Sequence, residues 1–173
     1  TVMKRKQLLP GLLALGICAL AADAALAEQG VLRTRGANGG AVAARGPNGG
    51  AIVSGRGVQQ NSDGSVTGAS GTVLRTPQGS VAGRASTTTR GADGSLTHSG
   101  GFAASGQKGN VQSSGSLAVD AEGTASGSRS TTATSATTGN SYQGSTTVDP
   151  VTGTVTHTGT CYTDSGEAVA CAK

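Results

Sequence analysis

The sequence is poor in aromatic residues: its 173 residues include two Tyr, one Phe and no Trp. A groove that binds nucleic acid uses aromatic side chains for stacking and clustered Lys or Arg for the backbone. After residue 27 the chain has ten Lys/Arg and eight Asp/Glu. Its one basic cluster, Arg33, Arg35 and Arg45, is interpreted as a solvated surface. We therefore expect no nucleic acid partner.

Large apolar residues are also scarce. After residue 27 the chain has 21 Val, Ile, Leu, Phe and Tyr, against 28 Gly, 19 Ser and 22 Thr. Such a composition cannot fill a thick hydrophobic core. Disorder is one alternative. The small number of prolines, the low net charge and the many β-branched residues favour strands instead.

Signals of catalysis are missing from the sequence. The two histidines, His98 and His157, have no Cys, His or carboxylate at metal-ligand spacing, and each is interpreted as a solvent-facing strand residue. No nucleophile elbow of the Gly-x-Ser-x-Gly type and no phosphate-binding loop occurs. We expect a protein that is not an enzyme, with no catalytic residue, cofactor or metal.

The N-terminus has the organisation of a secretory signal peptide. A charged head over residues 4–6 precedes an apolar run over residues 8–26, which ends at the small residue Ala27. The prediction is a helical signal peptide over residues 1–27, cleaved between Ala27 and Glu28. The chain would then be exported through the inner membrane to the periplasm, cell surface or medium, and would touch a membrane only through the signal peptide before cleavage.

A tandem repeat occupies the rest of the chain. A Gly followed by a small polar residue recurs about every 15 residues, as a repeated supersecondary unit would require. The predicted β-repeat domain covers residues 28–173. The predicted turn glycines are Gly49, Gly64, Gly79, Gly94, Gly109, Gly123, Gly139, Gly153 and Gly166.

Each glycine of this series ends a stretch with turn chemistry. Residues 46–49 (Gly-Pro-Asn-Gly) and 76–79 (Thr-Pro-Gln-Gly) have Pro second and Gly fourth, which suits a type I turn followed by a residue of positive φ. Such turns are typical of hairpins with a bulge. The predicted fold is therefore all-β, an antiparallel meander of about nine long strands.

A β-solenoid is the alternative architecture, in which equal positions of successive repeats stack into columns. The turn chemistry favours the meander. The second position after each glycine is mostly apolar and would form such a column in a solenoid: Val66, Val81, Leu96, Val111, Ala125, Ser141 and Val155.

Cys161 and Cys171 form an even pair in a chain predicted to be exported, so a disulfide is expected. Gly166 lies midway between them, and the bond would lock a C-terminal hairpin. This symmetry implies an odd number of loop residues, which pairs an even repeat position with an odd one. If earlier hairpins follow the same rule, Val and Leu are shared between both faces of a thin sheet.

The C-terminal third carries a resemblance to known proteins. Residues 141–146 (Ser-Tyr-Gln-Gly-Ser-Thr) and 156–161 (Thr-His-Thr-Gly-Thr-Cys) resemble segments of uncharacterised secreted Gly/Ser/Thr-rich repeat proteins of proteobacteria. In composition alone the chain is similar to matrix fibre subunits of Gram-negative bacteria. The resemblance implies no known activity.

Three functions are compatible with these patterns. The first is a structural or interaction protein of the cell surface or extracellular matrix, whose partner is another copy of itself through edge strands, or a surface polysaccharide or protein. The second is a binder of glycan or ice through a lattice of Thr and Ser, although the Thr rows do not keep one phase along the sequence. The third is a disordered periplasmic protein. The Thr rows are Thr87-Thr88-Thr89, Thr131-Thr132 and Thr156/Thr158/Thr160.

Overall fold

The computed structural model describes residues 30–171. The predicted signal peptide (residues 1–27) and its cleavage point between Ala27 and Glu28 lie outside the described residues. The described chain is one eleven-stranded antiparallel sheet in which each strand pairs with its neighbours in sequence. The predicted all-β meander is confirmed. The strands are β1 (Gly30–Gly36), β2 (Gly39–Arg45), β3 (Ala51–Gln60), β4 (Val66–Arg75), β5 (Val81–Arg90), β6 (Leu96–Gly106), β7 (Gly109–Val119), β8 (Ala125–Ser135), β9 (Ser141–Val148), β10 (Val155–Tyr162) and β11 (Ala168–Val169).

The strand pairing excludes the solenoid alternative. Val66 lies opposite Gln60 on one side and Arg90 on the other, and not opposite Val81, with which a solenoid would stack it. Two strands exceed the predicted nine. β1 precedes the first glycine of the series, and β11 is a two-residue strand at the end.

Six of the ten hairpins have a three-residue loop closed by the same pair of hydrogen bonds. In the first, the amide of Gly49 donates to the carbonyl of Gly46 at 3.1 Å, and the amide of Gly46 donates to the carbonyl of Gly50 at 2.8 Å. This is a type I turn followed by a glycine bulge. The same pair of bonds occurs in 61–65, 76–80, 91–95, 120–124 and 163–167.

The other four hairpins have loops of different length. Residues 136–139 and 150–153 form four-residue loops, closed by the pairs Ser135–Asn140 and Asp149–Thr154. Residues 37–38 and 107–108 form two-residue loops. The repeat therefore conserves the glycine but not the loop length.

All nine predicted turn glycines have positive φ, and no other residue between 30 and 171 does. Eight of them have φ between 69° and 92° and are the last residue of a loop. Gly109 differs, because it has φ of 136° and is the first residue of β7. Gly109 was expected within a turn, but it is a strand residue that directly follows the two-residue loop 107–108.

The sheet has a single layer and almost no core. Four residues of the described chain are buried: Ala43, Val53, Ser65 and Ser113. Strand order is therefore maintained by backbone hydrogen bonds, cross-strand pairs and turn geometry rather than by a packed interior.

Replacement of Gly94 by Ala tests the turn geometry. Gly94 has φ of 92° and no atom within 4 Å of a Cβ built on it, so a methyl group there meets backbone strain but no clash. We expect a loss of about 1–2 kcal/mol in the free energy of unfolding. Urea denaturation measures it.

The matched control is Gly68→Ala in β4, where a Cβ finds its first neighbours at 4.0 Å and φ is not positive. Because glycine weakens a strand, this change should leave stability unchanged or raise it. Equal losses in the two variants would contradict the assignment of Gly94 to a left-handed turn position.

Candidate interaction surfaces

Loop length decides which side chains share a face. Residues directly opposite each other in neighbouring strands point to the same side of the sheet. A three-residue loop pairs residues of equal parity, whereas loops of two or four residues pair odd with even numbers, as Leu96 with Val119 and Val155 with Val148. Because the loops differ in length, residues of unequal parity in different repeats can lie on the same face of the sheet.

Val and Leu occur on both faces as expected, but most of them share one face, and Leu32, Val53, Val73 and Val81 of the described strands lie on the other. Of the second-position residues, Val66, Leu96, Val111 and Val155 lie on one face and Val81 on the other. The physical reason is that the loops at 107–108, 136–139 and 150–153 do not have the odd length assumed for every hairpin. Fifteen large apolar residues share the first face: Val31, Val42, Ile52, Val58, Val66, Leu74, Leu96, Phe102, Val111, Leu117, Val119, Tyr142, Val148, Val155 and Val169.

The same face holds most of the positive charge, and we call it the basic face. All six arginines on this face are exposed. No Asp or Glu occurs in any of the eleven strands, because the carboxylates of the described chain are all in loops. Arg33 and Arg35 of the expected basic cluster lie here, but Arg45 points to the opposite face. The arginines of the basic face are Arg33, Arg35, Arg56, Arg84, Arg90 and Arg129, and His98 and His157 lie on the same face.

An apolar row crosses the basic face along one margin. It has one member from each of the eleven strands, each opposite the next in the register. Ile52 and Leu74 remain 40% and 42% exposed, so no part of the described chain covers this row. We call it the apolar ladder: Val31, Ala44, Ile52, Leu74, Ala82, Ala104, Val111, Ala133, Tyr142, Cys161 and Val169.

Two rows beside the apolar ladder form a central trough across the strands. Most of their members are Gly, Ser or Thr, so the floor is low, and arginines stand in it at intervals. One row is Arg33, Val42, Ser54, Thr72, Arg84, Phe102, Ser113, Thr131, Gly144 and Gly159. The other is Arg35, Gly40, Arg56, Ser70, Ser86, Gly100, Gly115, Arg129, Thr146 and His157.

A depression of about 600 Å³ lies at the middle of the trough, bordered by Arg84, Phe102 and Arg129 with Gly100 and Gly115. Arg129 is held in place, since its Nε donates to Ser113 Oγ at 2.7 Å and its guanidinium lies 5.7 Å from the Phe102 ring centre. The buried Ser113 hydroxyl in turn donates to the Ser130 carbonyl at 2.8 Å.

Both histidines are exposed strand residues on the basic face. His98 Nδ1 lies 2.8 Å from Thr88 Oγ1, and His157 Nδ1 lies 2.8 Å from Thr146 Oγ1. Each pair joins neighbouring strands. Within residues 30–171 no group of three or more His, Cys, Asp or Glu is arranged to hold a metal ion.

The opposite face carries a lattice of hydroxyl groups over β5–β10, and we call it the hydroxyl face. Thr87, Ser99, Ser116, Ser128, Thr147 and Thr156 form one uninterrupted row across six strands. The objection that the Thr rows lose phase is therefore wrong for most of them, because the loop lengths restore it. Thr88 and Thr131 are the exceptions and lie on the basic face.

Loop aspartates accept hydrogen bonds from the loop that they belong to. Asp63 Oδ1 accepts from the hydroxyl of Ser65 at 2.7 Å and from its amide at 2.9 Å, and these bonds lower the pKa of Asp63 below its ordinary value of 3.8. The hydroxyl and the amide of Ser95 likewise donate to Asp93 Oδ1 and lower the pKa of Asp93. The amides of residues 152 and 151 lower the pKa of Asp149.

The disulfide joins Cys161 to Cys171 with a Cα–Cα distance of 5.2 Å. The register of β10 and β11 centres on Ser165 rather than on Gly166, so Cys161 lies opposite Val169 and bonds to the cysteine two residues beyond it. The expected symmetry about Gly166 is one residue off, because Gly166 ends the loop instead of occupying its centre. The bond fastens the short β11 to β10.

No protein-family model, curated protein or solved structure matches the chain. No helix in residues 30–171 is long and apolar enough to cross a membrane.

The three depressed aspartate pKa values make stability depend on pH. A carboxylate whose pKa is lower when folded stabilises the fold above its unfolded pKa, and the contribution disappears as the pH falls through the folded value. The melting temperature should therefore fall most steeply below pH 3.8. Thermal melts between pH 7 and pH 2 measure it.

A variant with Asp63→Asn, Asp93→Asn and Asp149→Asn provides the comparison. The amide oxygen still accepts the loop hydrogen bonds but does not titrate, so the variant should lose less stability between pH 5 and pH 2 than the parent chain. Identical slopes in that range would show that these loops do not cause the acid sensitivity.

Removal of the disulfide should destabilise the sheet. The bond closes a short loop with a sequence separation of 10, for which the chain-entropy relation gives roughly 2–3 kcal/mol. We expect Cys161→Ser with Cys171→Ser, and the reduced parent chain, to show the same loss in urea denaturation. An unchanged midpoint in both would contradict this role.

Proposed function

We propose that the chain is an exported structural protein of the cell surface or extracellular matrix, which acts by self-association or adhesion. The single observation that carries the proposal is that residues 30–171 form a one-layered sheet with two edges unpaired within this part of the chain. Sheets with unpaired edge strands pair with other chains unless the edges are blocked. The disulfide adds support for export, because such bonds persist in oxidising compartments.

The first open edge is β1. Antiparallel ladders bond every second residue pair. The amide of Val58 donates to the carbonyl of Asn38 at 2.7 Å, so the even residues of β2 bond to β3 and its odd residues bond to β1. By this alternation the amides and carbonyls of Val31, Arg33 and Arg35 point away from the sheet.

The second open edge is the greater part of β10. Asp149 donates its amide to the carbonyl of Thr154 at 3.0 Å, so the even residues of β10 bond to β9. The backbone groups of Val155, His157 and Gly159 therefore point outwards. β11 covers only Cys161 and Tyr162 of this edge.

The two edges are complementary in direction. β1 and β10 are antiparallel, since nine antiparallel pairings separate them. When β1 of one copy lies beside β10 of a second copy in the same orientation, the contact continues the antiparallel meander. Such a head-to-tail contact uses two different surfaces and extends into a filament when it does not close into a ring.

A second candidate function rests on the hydroxyl face. Its row of six hydroxyl side chains supplies donors and acceptors at regular strand spacing, which supports binding of a neutral glycan or of ice. A glycan array and an ice-recrystallisation assay on the purified protein test this function. Residues 30–171 form one hydrogen-bonded sheet, which excludes the disordered alternative for this part of the chain.

Proline at the open edges tests self-association. Val31→Pro and Val155→Pro each remove an outward amide that takes part in no ladder of the monomer, so the sheet should persist while edge pairing is lost. Sedimentation velocity over a range of concentrations should show the parent chain assembling and the double variant remaining monomeric.

Val31→Thr with Val155→Thr is the matched control, since it changes the same side chains but keeps both amides. The control should assemble like the parent chain. A parent chain that stays monomeric at every concentration, or a control that behaves like the proline variant, would refute assembly through these edges.

A further inference from the structure

Arginines and carboxylates lie in different parts of the described molecule, so the arginines of the sheet are available to an anionic partner. Six arginines lie on the basic face and two, Arg45 and Arg75, on the hydroxyl face, while every carboxylate of the described chain is in a loop at the ends of the strands. No carboxylate of the described sheet therefore stands beside the arginines of the trough. Arg56 and Arg84 are exposed and have no ion-pair partner within residues 30–171.

The arginines of the trough follow a line across the strands, which His157 continues on β10. Arg35, Arg56, Arg129 and His157 occupy a single register row, on β1, β3, β8 and β10. Arg84 lies on β5 in the neighbouring row. Neighbouring strands are about 4.8 Å apart and neighbouring rows of one face about 6.7 Å, so successive arginines from Arg35 to Arg129 are separated by roughly 10–16 Å.

The space between the arginines is long and narrow enough for an extended chain. Gly, Ser and Thr form most of the floor. The apolar ladder borders it on one side, and a mixed row that includes Val58, Leu117 and Val148 borders it on the other. The floor offers hydroxyl groups, including the bonded pair Ser70–Ser86 at 3.1 Å. Arg84 and Arg129 border the same depression of about 600 Å³.

We propose that the central trough binds a linear acidic polysaccharide, whose carboxylate or sulfate groups pair with Arg56, Arg84 and Arg129. Hydroxyl groups of the sugar face the Ser and Thr of the floor, and C–H faces of the rings contact Phe102 and Leu117. The inference deepens the adhesive role proposed above by naming the partner, but its test does not depend on self-association.

Other anionic partners fit the trough less well. Duplex DNA carries one negative charge per about 1.7 Å, which is far denser than these arginines, and a single strand would need stacking aromatics where the trough has Phe102 alone. A membrane surface favours apolar residues at the centre with Trp or Tyr anchors, whereas here the charged rows are central. A second basic face would bring arginines against arginines.

Binding to polygalacturonate tests the proposal, with neutral dextran as the uncharged control. The protein is used with its disulfide intact, and affinity is measured by calorimetry at low and high salt. We expect binding to polygalacturonate or to dextran sulfate that weakens with salt, and no binding to dextran.

Arg56→Gln with Arg84→Gln should weaken this binding by roughly fivefold or more, because two exposed charge pairs are lost. Arg75→Gln is the matched control on the hydroxyl face and should weaken it by less than about twofold. Circular dichroism of each variant shows whether the sheet is retained, and both substitutions are at exposed positions.

Three results would overturn the proposal: no binding to either polyanion at low salt, an equal loss in the Arg75→Gln control, or tighter binding to oligothymidylate or phosphatidylglycerol vesicles than to both polysaccharides. The edge variant Val31→Pro/Val155→Pro separates the two functions. If it is monomeric and still binds polygalacturonate, trough binding is independent of assembly. If the parent chain never assembles but binds the polyanion, only the self-association proposal fails.

Discussion

The hydrogen-bond ladder of a single antiparallel sheet is the constraint on which the rest of the molecule depends. With four buried residues in the described chain, the hydrophobic effect cannot order the strands as it does in a two-layered domain. Each strand is fixed by its two neighbours and by short loops. Cross-strand hydroxyl pairs add to the ladder, as between Ser54 and Thr72 at 3.0 Å and between Thr67 and Thr89 at 2.9 Å.

The strands of this one-layered sheet contain many glycines, which weaken the ladder locally, and part of this loss is recovered by a neighbouring aromatic ring. Glycine inside a strand leaves backbone uncovered and weakens the ladder. In the C-terminal part the Tyr142 ring covers two of these positions, since a Cβ at Gly144 or Gly159 would meet its hydroxyl oxygen. An aromatic ring over strand glycines is a known way to recover the lost contacts.

The glycine turns, the meander and the disulfide could be predicted from the sequence because each depends on local chemistry. The separation of the faces could not, because it depends on the parity of every loop. A sequence signal existed: two residues separate Asp120 from Gly123, whereas three separate Asp149 from Gly153, and this extra residue marks a four-residue loop. No comparable sequence signal distinguishes Gly109, because it follows Gly94 at the regular spacing of the repeat although its loop is shorter.

The proposed edge pairing and the proposed polysaccharide site support each other geometrically. Continuation of the meander from β10 of one copy to β1 of the next keeps both basic faces on the same side of the extended sheet, whereas face-to-face stacking would bury arginine against arginine. Arg33 and Arg35 on β1 would then lie close to His157 on β10 of the neighbouring copy. The trough row of Thr146 and His157 would continue into the next subunit, beside the Tyr142 ring that covers Gly144 and Gly159. Each exposed charge pair contributes little to affinity on its own. Several such pairs along one polymer act as linked binding sites, so the affinity for the whole polysaccharide would be much higher than for one sugar unit. For the proposed adhesive role a one-layered sheet has two advantages: it exposes both faces, and an edge contact would lengthen the proposed binding surface.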